Sequence, residues 1–562
     1  MTTIQGKRFN WKIADPLENT SMPGWVMRYL HDCGVTETDA QLRFLEPRYD
    51  ALPSPYAFAH MEKAVTRVSD AIERKEKIGV FGDYDCDGVC SSAIVTDVLS
   101  EAGTLPPLLR LPHREREGYG LNINAVNEFH SAGVTLIITT DCGSSNVQEI
   151  AYARDLGIEV IVIDHHQRPT ELPDAFAILN SAFPEETFPD KTLCATGVAW
   201  FFAQALLEKR KNTYSPKWYL DLVAIATIGD IMPLTGVNRL LVNYGLRVIH
   251  TGRRVGVKAL AEVSRIDYKY ADAGDIGFGL VPRINAAGRM EHAHEASVLI
   301  RATDGDEARR LAQRLHMVNR ERQEGTKEYV ALAQEQLSAQ KKSHGRVIVG
   351  EAWPHGLLGL IAGRICEQEH VPVFVLSRLE HGYIASGRAP KHVNIMEFFD
   401  TASPLLSKYG GHPQACGFSL KPETDISTFQ HAAAYWFSTL PTPPLAPDLP
   451  VCGYLTTKEI AEAWEWREKL KPFGHKVREP IFVLGPFLLL EVRPLGTTQS
   501  HAAMTVGDDT GRRWRGVYFN AGKGFIESVR EVNTITLATE LSMNRWKGKE
   551  TIEFRIRDWK VG

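Results

Sequence analysis

Short apolar runs alternate with longer helical patterns through the first half of the chain. The runs Ile78–Phe81, Leu136–Ile138 and Val160–Ile163 are brief and rich in β-branched residues, which is typical of buried parallel strands. The stretches between them have the length and periodicity of helices, and a further helix is predicted near Trp218–Gly229. This alternation predicts a doubly wound α/β domain with a mostly parallel sheet.

The pattern changes in the second half of the chain. A polar stretch over 306–340 places Leu311, Leu315 and Val318 at i, i+4 and i+7, which predicts a long amphipathic helix that connects two lobes. A second α/β pattern then extends to about residue 440.

The tail has the pattern of a small β structure. Five prolines within 441–450 predict an extended linker. Beyond it, short alternating strands separated by Gly and Pro turns are predicted at 481–490, 513–519, 534–541 and 551–556, which is typical of a small β-barrel or sandwich.

Each of the three predicted strands ends in acidic or imidazole residues, and the helix near Trp218–Gly229 delivers one more carboxylate. In chain order these residues are Asp83, Asp85, Asp87, Asp141, Asp164, His165, His166 and Asp230. In doubly wound sheets ligands bind at the carboxyl ends of the strands, so these side chains are expected to converge in one crevice.

The chemistry of this set points to metal ions. Alone, Asp83, Asp85 and Asp87 also fit a solvated acidic turn, because a calcium loop needs a later acidic ligand and Gly88 opens instead into an apolar helix. Carboxylates mixed with imidazole suit Mn²⁺, Zn²⁺ or Fe²⁺ better than Ca²⁺. The set exceeds what one ion can use, so we predict two ions about 3.5–4 Å apart that activate a water and hold a phosphoryl oxygen. The predicted reaction is hydrolysis of a phosphoester or phosphoanhydride.

Composition and charge limit the remaining possibilities. The 562 residues carry a net charge of −4, so bulk electrostatics do not indicate a nucleic-acid partner. From Val451 onward, however, the chain has 18 Lys and Arg against 14 Asp and Glu, and five of the 11 Trp lie there.

Eight Cys without a C-x-x-C pair indicate neither a zinc knuckle nor a disulfide framework. No apolar run approaches the ~20 residues of a membrane span, and Met1–Asp15 lacks the apolar core of a secretion signal, so a cytoplasmic location is predicted.

The four acidic motifs, in their order, resemble those of the DHH phosphoesterases, which are named after the sequence Asp-His-His found here at 164–166. Further motifs are similar to those of one branch of that superfamily, the RecJ single-stranded-DNA exonucleases. These motifs are Gly118-Tyr119-Gly120-Leu121, Pro282-Arg283-Ile284-Asn285-Ala286-Ala287-Gly288-Arg289, Ser386-Gly387-Arg388 and Gly410-Gly411-His412-Pro413-Gln414-Ala415-Cys416-Gly417. The match extends from about residue 50 to 420, and the tail occupies the place of the family's OB-fold.

The resemblance implies a domain order of six segments. They are an N-terminal segment (1–50), a DHH catalytic domain (51–300), a connecting helix (301–342), a DHH-associated α/β lobe (343–440), a Pro-rich linker (441–450) and an OB-fold nucleic-acid-binding domain (451–562).

The resemblance also implies the ligands of two Mn²⁺ or Mg²⁺ ions. Asp87, His165 and Asp230 correspond to ligands of one ion, and Asp85 corresponds to a ligand of the other. Asp141 corresponds to the bridge between them and is one of our two predicted catalytic residues.

Further roles follow from the same resemblance. Asp83 is expected beside the Asp85 ion, directly or through water, and His166, the second predicted catalytic residue, is placed to hydrogen-bond the scissile phosphate. The predicted substrate contacts in the two lobes are Arg114, Tyr119, Arg283, Ser386, Arg388 and His412. Of these, we expect Arg114, Ser386 and Arg388 to grip a 5′-phosphate, because a guanidinium binds phosphate oxygens through two parallel hydrogen bonds.

Two groups of residues admit a structural interpretation beside the functional one. Arg283 and Arg289 flank a small-residue turn and either contact phosphate or brace the interface between lobes. Tryptophans of the tail either stack on bases or fill the barrel core. Trp514, between Arg513 and Arg515, is the one predicted to be exposed and to bind substrate.

The function implied is a 5′→3′ exonuclease that hydrolyses single-stranded DNA to mononucleotides in repair and recombination, with the polarity resting on the resemblance alone. One alternative is a DHH-type phosphodiesterase acting on short oligonucleotides or other small phosphoesters. The other is a non-catalytic RecJ-like DNA-binding scaffold. A monomer is expected, and the family suggests a helicase and a single-strand-binding protein as partners.

Overall fold

The computed structural model describes residues 2–17, 22–339, 343–380, 382–442, 446–496, 499–522, 524–546 and 548–562. The β-strands are β1 (Thr2–Gln5), β2 (Asn10–Ile13), β3 (Lys77–Gly82), β4 (Leu108–Arg110), β5 (Val134–Thr140), β6 (Glu159–Asp164), β7 (Ala177–Asn180), β8 (Arg346–Glu351), β9 (Val373–Leu379), β10 (Gly382–Arg388), β11 (Leu406–His412), β12 (Ala415–Leu420), β13 (Asp448–Val451), β14 (Gly453–Tyr454), β15 (Phe482–Leu495), β16 (His501–Gly507), β17 (Arg513–Tyr518), β18 (Thr534–Trp546) and β19 (Lys549–Val561). The α-helices are α1 (Gly24–Asp32), α2 (Thr38–Leu45), α3 (Met61–Glu73), α4 (Cys86–Ala102), α5 (Ile123–Ser131), α6 (Val147–Asp155), α7 (Ala195–Lys209), α8 (Leu220–Gly229), α9 (Gly236–His250), α10 (Val255–Val263), α11 (Ala273–Asp275), α12 (Val281–Met290), α13 (His294–Arg301), α14 (Gly305–Ser338), α15 (His355–Glu369), α16 (Glu397–Ala402), α17 (Ile426–Thr439), α18 (Ile460–Leu470) and α19 (Phe525–Ser528).

The chain divides into two compact units. The first unit comprises residues 53–232 and 244–443, and the second comprises 1–52, 233–243 and 444–562. Among the described residues, no helix combines the length and the apolarity that crossing a membrane requires.

The first unit contains a five-stranded, all-parallel sheet in the order β4-β3-β5-β6-β7. The predicted α/β fold is therefore confirmed. The central strands read as continuous apolar runs because both faces of a parallel sheet are covered by helices. Strand β4 follows β3 in the chain and pairs with one edge of β3, whereas the next strand, β5, pairs with the other edge of β3. The strand order therefore reverses between β3 and β5. Ligands bind at such a switch point, outside the carboxyl ends of the strands.

A second sheet in the same unit has the order β11-β12-β10-β9-β8, in which only β8 and β9 pair in parallel. The predicted connecting helix leads to this lobe as α14, a helix of 34 residues. Asp304 caps its first turn by accepting hydrogen bonds from the amides of Asp306 and Glu307. Its buried stripe includes Leu311, Leu315 and Val318, as the spacing predicts. Residues 340–342 of the predicted connector lie outside the described residues.

The second unit contains a closed five-stranded barrel in the order β15-β16-β17-β19-β18, with β18 pairing back to β15. Helix α19 lies between β17 and β18. This connectivity is that of an OB-fold, so the predicted barrel is confirmed. In the same unit β1, β2 and β13 form a small sheet. Strand β13 begins within the predicted linker, of which residues 443–445 lie outside the described residues.

The prediction that Trp514 is exposed is wrong. Its side chain is 4% exposed, its ring stacks on Phe554 at 5.4 Å between centroids, and its indole N–H donates to Asp508 at 3.0 Å. Successive side chains of a strand point to opposite faces, so the exposed positions of Arg513 and Arg515 place the residue between them inside the barrel.

Candidate metal centre and phosphate site

The acidic turn after β3 leads directly into α4. Asp85 is the N-cap of this helix, and its carboxylate accepts hydrogen bonds from the amides of Asp87 and Gly88 at 2.9 and 3.1 Å. Asp87 therefore lies in the first helical turn and faces inward. Asp141 follows β5 with a φ of 61°, a left-handed conformation that Asp tolerates better than most residues.

The predicted ligands come together in three groups. Within each group one possible ligand atom per residue lies within 4.8 Å of the others. The groups are Asp83, Asp85 and Asp141; Asp87, His165 and Asp230; and Asp141, His165 and His166. The Nε2 atom of His165 lies 3.1 Å from a carboxylate oxygen of Asp141 and 3.6 Å from a carboxylate oxygen of Asp87 and of Asp230. Asp141 belongs to the group of Asp83 and Asp85 and also lies 3.1 Å from His165 of the group with Asp87 and Asp230, which is the position expected of a bridge.

The electrostatics of the site favour bound cations. Burial and the charges of neighbouring carboxylates raise the pKa of Asp83 and Asp141 well above the ordinary value, and raise the pKa of Asp230 to about 8. One oxygen of Asp83 and one of Asp141 are buried without a hydrogen-bond partner among the described residues. Unpaired buried carboxylate oxygens are costly unless an ion neutralises them. The donor set therefore fits divalent metal ions.

Helix α7 holds Asp87 in place. The backbone amides of Ala195 and Thr196 donate to the two carboxylate oxygens at 2.7 and 2.9 Å, and the Thr196 hydroxyl donates at 2.6 Å. Asp87 is 1% exposed. The positive end of the helix dipole lies at these amides.

His166 is oriented by a second set of contacts. Its Nδ1 atom lies 2.8 Å from Asp164, whose oxygens also accept from the amides of Ser144 and His165. Burial opposes a charge on His166, but the hydrogen bond to Asp164 and the charges of Asp164, Asp230 and Asp85 together outweigh it and raise the pKa of His166 to about 9. The Tyr119 hydroxyl donates to the carbonyl of Asp141 at 3.1 Å and lies 3.0 Å from the imidazole of His166. Tyr119 is therefore at the metal centre.

The predicted small-residue turn between Arg283 and Arg289 is instead the helix α12. The side chain of Asn285 accepts a hydrogen bond from the amide of Cys86 at 2.8 Å. A β-carbon at Gly288 would lie 2.3 Å from the carbonyl oxygen of Tyr84. The small residues of this motif thus let α12 pack directly against the acidic turn.

Arginines gather between the metal centre and the second sheet. The guanidinium of Arg114 lies 4.8 Å from the ring centre of Tyr84. Arg388 donates to Ser386 at 3.1 Å, and Arg289 donates to the carbonyl of Gly356 at 3.3 Å. Burial and the charges of Arg114, Arg322 and Arg388 lower the pKa of Arg289 to about 10, which Asp85 partly offsets. This excess of positive charge favours an anion.

Two further predicted substrate contacts, Arg283 and His412, lie on α12 and β11. Arg283 donates to the carbonyl of Gly279 and to His316 rather than joining the other arginines. His412 is exposed on β11. It pairs with Ala415 of β12, which in turn pairs with Arg388 of β10, so His412 lies two strands from Arg388.

The chain is similar to known proteins over most of its length. Models of the DHH family N-terminal domain, the DHHA1 domain and the RecJ OB domain match residues 77–227, 342–439 and 453–558. The chain is 33% identical over 559 residues to single-stranded-DNA-specific exonuclease RecJ of Bacillus subtilis (strain 168), covering 98% of this chain and 70% of the relative. The chain belongs to the RecJ family. The RecJ of Escherichia coli (strain K12) is 32% identical, with 89% and 90% covered.

Solved RecJ structures share the fold. The crystal structure of RecJ in complex with Mn²⁺ from Thermus thermophilus matches with a TM-score of 0.81 and 27% identity, over 98% of this chain and 80% of that one. The complex of the same RecJ with Mg²⁺ matches with a TM-score of 0.74 and 25% identity, over 98% and 78%. The RecJ resemblance drawn from the motifs is therefore confirmed.

The motif reasoning assigned no role to several residues of this site. Thr196 and Asn285 contact the acidic turn from other elements, and Arg322 belongs to the arginine group although its helix has a solvated face. A threonine at the start of an apolar helix is a cap signal, but the sequence does not say which carboxylate it meets.

Substitution of Thr196 is expected to weaken metal binding. Thr196→Val removes the hydroxyl donor at nearly constant volume and leaves Asp87 held only by the two backbone amides, so we expect Mn²⁺ affinity to fall by about 10- to 100-fold. Calorimetric titration with Mn²⁺ measures this directly. Thr196→Ser, which keeps the donor, is expected to restore the affinity; equal affinity of the Val variant and the original chain would contradict the assignment.

The metal-free chain is expected to lose stability as pH rises. The unfolded state releases the Asp230 proton near pH 3.8, whereas the folded state holds it up to about 8, so the free energy of unfolding falls across that window. The raised pKa values of Asp83 and Asp141 act in the same direction. Urea unfolding in chelator at several pH values, compared with Asp230→Asn, measures this loss. A difference between the two chains that does not grow with pH would contradict it.

Proposed function

We propose that this chain is a metal-dependent exonuclease that hydrolyses single-stranded DNA from the 5′ end to mononucleotides, in DNA repair and recombination. The main support is the convergence of the three ligand groups next to a cluster of arginines that have few carboxylate partners. Metal ligands beside a site for a phosphate anion are what hydrolysis near a phosphorylated strand end requires. The names of the RecJ relatives support the single-stranded-DNA substrate.

The proposed cofactors are two Mn²⁺ or Mg²⁺ ions, in line with the RecJ complexes of Thermus thermophilus. Asp87, His165 and Asp230 would hold one ion, Asp83 and Asp85 the other, and Asp141 would bridge them. When bound, such ions lower the pKa of a water and stabilise negative charge on the phosphoryl oxygens.

The residues around these ligands position the substrate. A protonated His166 donates from Nδ1 to Asp164, which leaves its Nε2–H to donate to a phosphate oxygen. Tyr119 keeps the imidazole in this orientation through its hydroxyl. His166 thus supplies a fixed positive charge where negative charge develops during hydrolysis.

The arginine group is proposed to hold the terminal phosphate of the strand. Arg114, Arg388 and Ser386 were expected to do so, and Arg289 and Arg322 add to their charge. A terminal phosphate carries more negative charge than an internal one, so the cluster favours an end over an internal position. This preference accounts for exonuclease rather than endonuclease action.

The barrel is proposed to bind the strand through its outer face. Phe519, 45% exposed, replaces Trp514 as the aromatic candidate, with the Arg555 guanidinium 5.3 Å from its ring centre and His501 at 5.4 Å. An exposed ring beside a guanidinium is the usual arrangement for stacking bases on an OB-fold. We further propose the six segments predicted above as domains, a monomer located in the cytoplasm, and a helicase and a single-strand-binding protein as partners.

The test is digestion of DNA by the full chain. Single strands labelled at the 5′ or the 3′ end are incubated with Mn²⁺, Mg²⁺ or chelator, and a dinucleotide is compared with a forty-nucleotide strand. We expect metal-dependent release of mononucleotides from the 5′ end and higher efficiency on the long strand. Equal or better hydrolysis of the dinucleotide would favour a small-substrate phosphodiesterase, and binding without hydrolysis would favour a scaffold.

A further inference from the structure

Phe278 is the most exposed large hydrophobic residue among those that the structure describes, with 87% of its side chain accessible to water. It lies in a π-helix, Ile276–Leu280, that continues α11 and leads into α12. Ile276 and Leu280 are fully buried, so the backbone that carries Phe278 is anchored on both sides. Short π-helical segments occur frequently at functional sites.

Glycines on either side fix the direction of this ring. A β-carbon at Gly279 would lie 2.2 Å from Ile266, and one at Gly277 would lie 3.3 Å from Ile228. The backbone therefore packs closely against its neighbours on these sides and leaves Phe278 on the open side. Ile228 is two residues from the metal ligand Asp230, so the π-helix packs against the segment that delivers this ligand.

Arg283 and His316 lie beside the backbone of Gly279, the residue that follows Phe278. Arg283 donates to the carbonyl of Gly279 and, through two of its nitrogens, to Nδ1 of His316 at 3.2 and 3.0 Å. Because arginine only donates, Nδ1 of His316 must accept, and the imidazole proton lies on Nε2. Arg265 and Arg320 are also close enough to act on the charge of His316. The segment that carries the ring thus lies beside hydrogen-bond donors and the positive charge of several arginines.

We infer that Phe278, Arg283 and His316 form a nucleotide subsite, in which Phe278 stacks on one base of the single strand while Arg283 and the Nε2–H of His316 bind the adjacent phosphate. This inference rests on the proposed function and adds to it a base contact on the first unit. An aromatic face beside phosphate-binding donors matches a nucleotide of a single strand better than an apolar protein surface. The contact is indifferent to base identity, since every base offers a π-face.

The test is an abasic scan of the strand. A single abasic nucleotide is placed at each position near the end that is hydrolysed, and kcat/KM is measured for the full chain and for Phe278→Ala. In the original chain one position is expected to lose about 5- to 100-fold, the range of a single base–aromatic stack. In Phe278→Ala the strand with all its bases is expected to lose the same factor, and the abasic penalty at that position is expected to disappear. Phe278→Tyr, which keeps a ring, is expected to restore both.

Tyr435→Ala is the matched control, because Tyr435 is a ring on α17 that is 74% exposed; it is expected to leave the whole scan unchanged. The inference is overturned if no position has a penalty that depends on Phe278, or if Tyr435→Ala has the same effect. It is also overturned if Phe278→Ala changes only self-association, which would mark a protein interface. Failure of the original chain to hydrolyse single strands would instead overturn the proposed function, on which the subsite depends.

Discussion

Asp141→Asn is expected to reduce hydrolysis of single-stranded DNA by about 10³-fold or more, because this carboxylate is shared between two ligand groups and no neighbour can replace it. In chelator the same variant is expected to unfold at a higher temperature than the original chain. Burial and the charges of Asp83, Asp85, Asp87 and Asp230 raise the pKa of Asp141, so the metal-free fold loses stability by keeping this carboxyl protonated, whereas Asn is neutral without a proton. Opposite effects on activity and on metal-free stability distinguish a functional carboxylate from a structural one.

Steady-state hydrolysis and thermal unfolding, each with Mn²⁺ and with chelator, measure the two effects. Asp400→Asn, at an exposed position on α16, is the matched control and is expected to change neither quantity. Strand binding by Asp141→Asn is expected to stay close to that of the original chain. Substantial nuclease activity in this variant would exclude a bridging role for Asp141.

Arg388→Ala is expected to slow hydrolysis of 5′-phosphorylated strands by about 10- to 100-fold and to affect 5′-hydroxyl strands little, since hydrogen bonds to a charged group contribute about 1.5–3 kcal/mol. Arg388 is held toward the site by Ser386 and by the carbonyl of Gly387. Arg388→Lys is expected to recover only part of the loss, because an ammonium cannot form two parallel hydrogen bonds to one phosphate.

Competition between phosphorylated and unphosphorylated strands in one reaction measures this preference. Arg364→Ala on α15 removes an arginine side chain that is 61% exposed in the same lobe and is expected to leave the preference intact. An equal loss on both kinds of strand would show that Arg388 supports the fold of the lobe rather than the strand end.

The sequence predicted the central elements of the fold because their patterns are strong. β3, β5 and β6 are buried on both faces and therefore read as continuous apolar runs, and α14 is long enough for its periodicity to be clear. Strands β4 and β7 have three and four residues, too few to show a period. β16 escaped prediction because Ala502 and Ala503 have low strand propensity.

The sequence predicted those site residues that lie at the end of a strand or helix recognisable from its own local pattern. Strand ends place Asp83, Asp141 and His165 by topology alone, so the parallel pattern sufficed for them. The contacts of Thr196 with Asp87 and of Asn285 with Cys86 join residues 109 and 199 positions apart in the chain, and local pattern holds no information on such pairs. The prediction for Trp514 failed because its basic neighbours were taken to indicate an exposed position. Neighbouring residues of a strand point to opposite faces, so the exposure of Arg513 and Arg515 places Trp514 in the barrel core.

The fit of Gly288 against Tyr84 has a consequence for how the site can open. With backbone meeting backbone and Asn285 holding the amide of Cys86, helix α12 and the acidic turn cannot separate without breaking both contacts at once. Local fluctuations that expose one should expose the other, so the two segments exchange their amide protons as a single cooperative unit. A structural change in α12 therefore alters the position of the acidic turn and its carboxylates directly, without any change in the sheet.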